Sequence, residues 1–181
     1  MSEILDVIVV GAGSAGLAAI REVSKRTDRF LLVNDGPYGT TCARVGCMPS
    51  KVLIEAANAF HRREMFETLG ILGATGLSVD LPAVLQRVRA LRDDFVAGTL
   101  KLTDRLGERS IAGRARLLGP DRIDVDGRAF RARSIVLATG SHPVVPKPWQ
   151  TLGKRLLVCG EDIQREAVGL ADSMRQMRVA A

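Results

Sequence analysis

Two cysteines stand five positions apart in the segment Cys42-Ala43-Arg44-Val45-Gly46-Cys47. Zinc binding calls for a second pair of ligands at matching spacing. Only Cys159, His61 and His142 remain, in no such arrangement, so no metal site is expected. A structural disulfide does not suit a reducing compartment. Two unreacting core cysteines are the bland alternative, and the glycines and threonines around the pair speak against plain packing. Redox work fits better. Cys47 lies beside Pro49-Ser50-Lys51 at an expected helix start, where the helix dipole and the Lys51 charge both favour thiolate over thiol. Gly46 frees the backbone to bring the two Cα atoms within the roughly 4.4–6.8 Å a disulfide requires. One sulfur can then exchange with a substrate while the other resolves the mixed disulfide.

A second constellation is Gly11-x-Gly13-x-x-Gly16, with Ser14 and Ala15 between the last two glycines. Alone it is a weak signal. Here it directly follows an apolar run and opens an amphipathic segment, the setting of a dinucleotide-binding turn. Gly11 permits the tight turn, Gly13 lets a diphosphate approach the backbone, and Gly16 lets helix and strand pack closely. The helix N-terminus supplies free N–H groups and a partial positive charge. Such turns carry an acidic residue about 20 positions on to bond a ribose hydroxyl. That place reads Val33-Asn34-Asp35. The Asn34 amide oxygen can accept a hydrogen bond, and Asp35 could substitute from one residue later.

The elements that must position these groups follow from patterning. Val7-Ile8-Val9-Val10 within Leu5–Val10 predicts a strand buried on both faces, as in a parallel sheet. A helix is expected over Ser14–Arg26, with Leu17, Ile20 and Val23 on one face. Arg29–Val33 completes a β-α-β unit, and Asp35–Gly46 reads as loop. Pro49 suits a first helical turn, and that helix is expected to reach Leu69. Gly70–Val79 looks turn-rich. Leu81–Arg105 predicts a long helix with Val84, Leu85, Val88, Leu91, Phe95 and Leu102 facing inward. Three short strands are expected at Ser110–Leu118, Arg122–Val125 and Ala129–Ala132, joined at Gly119-Pro120-Asp121 and Asp126-Gly127. Ser134–Thr139 reads as a further apolar strand, Pro143, Pro146 and Pro148 mark an exit loop, and Arg155–Val158 is a possible last strand.

Composition bounds the answer. At 181 residues, of which 46% are hydrophobic and 25% charged, the chain can bury a core. Its length suits one domain, or one plus a remnant, at about 150 residues per domain. No apolar run approaches the roughly 20 residues that span a bilayer, and the first residues lack the pattern of a secretory signal. Three cysteines are too few for a secreted disulfide scaffold. A cytoplasmic protein is expected. The net charge of +6 comes from scattered basic residues, and aromatics are only 4%. Little is left for base stacking, so nucleic acid is not an expected partner.

With these motifs assembled, Gly39-Thr40-Thr41-Cys42-Ala43-Arg44-Val45-Gly46-Cys47-Met48-Pro49-Ser50-Lys51 resembles the active-site segment of the class I flavoprotein (pyridine nucleotide-disulfide) oxidoreductases. Ala138-Thr139-Gly140-Ser141-His142-Pro143 resembles the family's second flavin-domain signature, and the glycine turn stands in the matching order before both. Within the family the pattern is most similar to dihydrolipoamide dehydrogenases. Mercuric reductases share much of it, and glutathione reductases usually carry lysine at the place of Ser50.

The resemblance implies an α/β fold: a Rossmann-like FAD-binding domain, with a parallel sheet and a small antiparallel β-meander. It implies that Gly11, Gly13, Ser14, Ala15 and Gly16 hold the FAD diphosphate and that Asn34 or Asp35 takes the adenosine ribose. Thr41 would lie along the cofactor. Cys42 would be the interchange thiol that meets a dithiol substrate, and Cys47 the charge-transfer thiol by the flavin. Lys51 would stand at the reactive edge of the flavin ring. Gly113 and Ala115 would pass the adenine, and Thr139, Gly140 and Ser141 would approach the cofactor after the last strand. Thr40 stands where many relatives have a second glycine, which restricts φ there.

The resemblance also implies parts not found in this sequence. The family continues with an NAD-binding domain, a further FAD signature and a dimer-interface domain carrying a His/Glu pair. Residues 1–150 are therefore expected to form the FAD-binding domain, with 151–181 a lead-in to the NAD-binding domain, as in a truncated chain. Its partners would be a small-molecule or lipoyl-domain dithiol and, for the complete family protein, a second subunit; no membrane partner is expected. His142 reads as part of a turn and His61 as an exposed helix residue. An incomplete fold of this kind should expose apolar surface, bind FAD weakly and be poorly soluble.

Overall fold

The computed structural model describes residues 4–142 and 144–153. Within them the chain folds as two compact units. One takes the residues up to Thr41 together with Val96–His142; the other takes Cys42–Phe95 with the described residues after His142.

The first unit is built on a six-stranded sheet of order β3-β2-β1-β6-β5-β4. β1 (Ile4–Val10), β2 (Phe30–Asn34) and β3 (Ser110–Ala112) run parallel, and β6 (Arg128–Leu137) joins β1 in parallel on its other side. β4 (Ala115–Gly119) and β5 (Arg122–Val125) pair antiparallel, and β5 pairs antiparallel with β6. Alternation along the central strands sorts their side chains onto two faces. Ile8, Leu31 and Val33 pack with Ile123, Val125 and Ala132 of the meander. Val9, Phe30 and Leu32 pack with Leu17 and Ile20 of helix α1 (Ser14–Val23) and with Leu102 and Leu106. Both faces of β1 and β2 are therefore covered, which is why their sequences read as unbroken apolar runs. This is the expected α/β sheet with its antiparallel meander.

Several boundaries differ from those expected. Ser110–Leu118 is not one strand. It breaks at Gly113-Arg114, so that Ser110–Ala112 pairs with β2 while Ala115–Gly119 pairs with β5. Ala129–Ala132 and Ser134–Thr139, read as separate strands, form the single ten-residue β6. Its first part pairs antiparallel with β5 and its last part parallel with β1. No glycine or proline interrupts it, and the apolar pattern simply changes neighbour. Val136 and Leu137 at its end are exposed. Asp126 (φ 49) and Gly127 (φ 85) make the two-residue turn between β5 and β6, the geometry that an Asp-Gly pair favours. α1 stops at Val23 rather than Arg26.

The loop expected over Asp35–Gly46 contains a helical turn, α2 (Thr41–Arg44). α3 (Cys47–His61) starts two residues before Pro49 and ends well before Leu69. Arg63 ends it: Nη1 donates to the Phe60 carbonyl at 3.2 Å while the guanidinium lies 3.7 Å over the Phe60 ring. A side chain thus satisfies one of the carbonyls a helix end leaves unpaired. The chain continues in 3-10 turns (Arg62–Met65, Glu67–Leu69) to Gly70, which adopts the left-handed conformation (φ 74). α4 (Leu81–Asp104) matches its expected span, and Leu85 and Val88 are buried, but Phe95 is exposed. A short helix, α5 (Lys147–Gln150), follows Pro146 in the expected exit loop. The strand expected at Arg155–Val158 lies outside the described residues. Among the described residues no helix is long and apolar enough to cross a membrane.

Candidate functional site

The glycine turn is shaped by close packing on one side and openness on the other. Gly11 adopts φ 107. A Cβ there would press on the Ala138 carbonyl, with its carbon at 2.7 Å and the Thr139 nitrogen at 3.2 Å. At Gly16 a Cβ would press on the Gly11 carbonyl, 2.9 Å from its carbon and 3.5 Å from the Ala138 Cβ. A Cβ at Gly13 would meet nothing within 4 Å. Gly11 and Gly16 thus lock α1 against the ends of β1 and β6, whereas the backbone of Gly13 faces open space. No side chain caps the N-terminus of α1, and Ser14 and Ala15 in its first turn are exposed. An uncapped helix start beside an unobstructed backbone is what a diphosphate requires. The residues present therefore fit a dinucleotide.

Sheet register brings other sequence-predicted positions to the same edge. Thr139 follows β6, and Gly140 turns the chain with φ 74. Thr139, Gly140 and Ser141 are all exposed. Gly113 donates its N–H to the Asn34 carbonyl at 3.0 Å. A cleft of about 640 Å³ opens between Val10, Leu137 and Thr139 on one side and Arg114, Ala115 and Arg116 on the other, with Asp124 and Asp126 also lining it. The charged members of this lining were not singled out in the sequence. The basic pair Arg114 and Arg116, flanking Ala115 where β4 begins, was the available signal.

Asn34 is engaged with backbone. Its Oδ1 accepts from the Ala12 N–H at 2.9 Å and its Nδ2 donates to the Gly36 carbonyl at 2.8 Å. Asp35 is exposed, with its carboxylate 3.9 Å from Nε of Arg114. Thr40 is accommodated without a positive φ, Asp126 being the one non-glycine residue with positive φ among the described residues.

In the second unit Cys42 sits in α2 and Cys47 opens α3, with Gly46 at the helix N-cap and no side chain capping it. Both cysteines are free thiols; Cys42 is half-buried and Cys47 exposed. The Ser50 hydroxyl donates back to the Cys47 carbonyl at 3.0 Å. Hydrogen bonding to Cys47 raises the Cys42 thiol above its ordinary range, burial and the Cys47 charge add to this, and Lys51 opposes it. The bond that Cys42 donates to the neighbouring sulfur would be lost on ionisation, so a proton is held on Cys42 while the pair is reduced. Two sulfurs in hydrogen-bond contact can exchange with an external disulfide or dithiol in turn. Among the described residues no group of three or more His, Cys, Asp or Glu could hold a metal. His61 lies exposed at the end of α3, 3.3 Å from Glu64.

Several known proteins are similar to this chain. The dihydrolipoyl dehydrogenase of Thermus scotoductus is 30% identical over 178 residues, covering 96% of this chain and 34% of that protein. The glutathione reductase of Burkholderia cepacia is 28% identical over 170 residues, covering 91% and 36%. The chain thus spans about a third of the length of the curated relatives it matches. Among solved structures, the HOCl-induced flavoprotein disulfide reductase RclA of Escherichia coli, determined as its Cu(II) complex, matches with a TM-score of 0.58. At 20% identity, covering 78% of this chain and 29% of that one, it shows a shared fold. A family model described as pyridine nucleotide-disulphide oxidoreductase matches residues 5–179. With a glycine turn, a paired-thiol segment and nearly the whole sequence accounted for, this chain belongs to the pyridine nucleotide-disulphide oxidoreductase family.

Proposed function

We propose that the chain supplies the FAD-binding and dithiol part of a disulfide oxidoreductase that oxidises dihydrolipoamide. The observation that carries the reading is the hydrogen-bonded pair Cys42 and Cys47 at an uncapped helix start, in a chain that also presents an open glycine turn.

In this reading Gly11, Gly13, Ser14, Ala15 and Gly16 hold the diphosphate of FAD. Thr41, Lys51, Gly113, Ala115, Thr139, Gly140 and Ser141 line its path. A substrate thiolate attacks the Cys42 sulfur of the Cys42–Cys47 disulfide and displaces Cys47 as thiolate. The second substrate thiol then closes the product disulfide and releases Cys42, which takes up a proton. The α3 N-terminus and the Lys51 ammonium stabilise the displaced Cys47 thiolate. FAD, when bound, accepts the two electrons that the dithiol releases on returning to its disulfide. The complete reaction, with NAD as acceptor, also calls for a nicotinamide site and a second subunit. We assign both to the part of the relatives that this chain does not cover. The domain division is proposed on the same basis, with 1–150 serving the flavin and 151–181 leading to the nicotinamide part, in a cytoplasmic protein.

Similarity to a glutathione reductase over 91% of the chain makes glutathione disulfide the second substrate to test. The test reconstitutes the full chain with FAD, adds dihydrolipoamide or reduced glutathione without oxygen, and follows flavin absorbance. Bleaching by dihydrolipoamide, abolished in Cys42→Ser and Cys47→Ser, is expected. Flavin that binds but does not bleach with either thiol would refute the proposal.

A further inference from the structure

The loop after β2 carries the one tyrosine of the chain, and its side chain turns back onto the sheet. Gly36 (φ 130) and Gly39 (φ 111) stand on either side of Pro37-Tyr38, a backbone conformation that glycine adopts at no steric cost. The half-buried Tyr38 packs against the cluster that holds Val9, Phe30 and Leu32. Its hydroxyl shares a hydrogen bond of 3.0 Å with the Ser110 hydroxyl, 72 residues along the chain. The ring thus supplies packing and the hydroxyl one directed bond.

Ser110 opens β3, and β3 is weakly held. It has three residues, stands at one edge of the sheet and pairs with β2. Ser110 and Ile111 are half-buried and Ala112 is exposed. An edge strand with so little burial opens locally well below the cost of global unfolding. Yet β3 runs directly into Gly113, whose N–H donates to the Asn34 carbonyl at 3.0 Å, and on to Arg114 and Ala115, which line the cleft with Thr139. We propose that Tyr38 is a positioning residue: it latches β3 to the loop after β2, and so holds Gly113 and Ala115 in place for the adenine half of the cofactor. This rests on the cofactor reading above and deepens it, by naming the side chain that steadies a strand the cofactor would use.

Hydrogen exchange of the full chain, with the Gly113 amide as reporter of β3, tests the latch. Tyr38→Phe keeps the ring and removes the hydroxyl, so the chain should fold and Gly113 should exchange about fivefold faster, the scale of one neutral hydrogen bond. Ser110→Ala should raise the rate by a similar factor. The two substitutions together should raise it no further than either alone, because they remove one shared bond. ADP then tests the link to the cofactor. At about one hundred times its calorimetric Kd it should slow Gly113 exchange about a hundredfold, in the unaltered chain and in Tyr38→Phe alike. A hydroxyl with a merely structural role would show no such coupling between nucleotide and strand. Gly113 exchange that is unchanged in Tyr38→Phe overturns the latch. Gly113 exchange that is unchanged by bound ADP overturns the link to the cofactor. An unaltered chain that binds neither FAD nor ADP refutes the cofactor reading itself and takes the adenine assignment with it, while the comparison of exchange rates still decides the latch.

Discussion

Gly16 and Gly13 sit three residues apart in one turn, yet replacing each by alanine should have opposite consequences. At Gly16 alanine gains helix propensity of about 1 kcal/mol over glycine. Against that, the added Cβ presses on the Gly11 carbonyl, 2.9 Å from its carbon and 3.5 Å from the Ala138 Cβ. Those neighbours are backbone and a strand-end methyl, so none can rotate away. α1 must instead retreat by roughly 1 Å, and Leu17 and Ile20, both buried against β1 and β2, retreat with it. Overpacking of this kind costs about 1–3 kcal/mol where side chains can adjust, and the rigid carbonyl places Gly16→Ala at or above the upper end. Net of the propensity gain, a loss of about 2 kcal/mol is expected, or about 4–8 °C in Tm for a chain of this size. At Gly13 a Cβ meets nothing within 4 Å and φ is −83, so alanine should fold with less than about 1 kcal/mol of change. It should nonetheless weaken FAD at least tenfold, because the Cβ occupies the space a diphosphate needs. Urea unfolding followed by circular dichroism measures the first effect, and quenching of flavin fluorescence the second. A Gly16→Ala chain as stable as the parent would refute the packing argument; a Gly13→Ala chain with full flavin affinity would refute the phosphate argument.

Other consequences are as direct. Ile123 is fully buried between the meander and the parallel strands, so Ile123→Ala should cost about 2–5 kcal/mol in urea unfolding; a loss below 1 kcal/mol would mean the meander packs loosely. Cys47→Ala removes the hydrogen bond that is the main cause raising the Cys42 thiol, so the pH midpoint for alkylation of Cys42 should fall in that variant, and an unchanged midpoint would break the link between the sulfurs. Asp6 accepts from Thr27 Oγ1 at 2.6 Å and Arg29 Nη2 at 2.8 Å, and Asp121 lies 2.6 Å from Arg131 Nη2; these partners hold both carboxyls below their ordinary range. Their contribution to stability is present above the unfolded carboxyl value, near 4, and is lost as pH falls through the lower folded values. Thermal unfolding between pH 5 and pH 2 should therefore show a shallower acid decline in Asp6→Asn than in the parent, and parallel curves would count against the assignment.

The elements easiest to read were those whose cause is local. β1 and β2 are covered on both faces, so Val7–Val10 and Phe30–Val33 carry no polar interruption. Asp126-Gly127 turns the chain because both residues tolerate positive φ. The misread elements depend on partners far along the chain. Nothing between Ala132 and Ser134 marks the place where β6 exchanges an antiparallel neighbour for a parallel one. The break at Gly113-Arg114 is invisible for a similar reason. Ile111 and Ala115 both suit a strand, and only the sheet assigns one to β2 and the other to β5. α3 stops short of Leu69, the end expected for it, because a side-chain bond from Arg63 and the left-handed Gly70 close it with 3-10 turns.

The same division runs through the candidate site and explains why Asn34 was hard to interpret. A glycine's steric role is written in its own residue type, so Gly11 and Gly16 could be given reasons from spacing alone. A polar side chain's role depends on which donors and acceptors the fold sets opposite it. Position 34 looked like a departure from an acidic pattern, with a ribose contact weakened by one charge. In the fold, the amide is the side chain that can accept from Ala12 and donate to Gly36 together, a pairing no carboxylate can make.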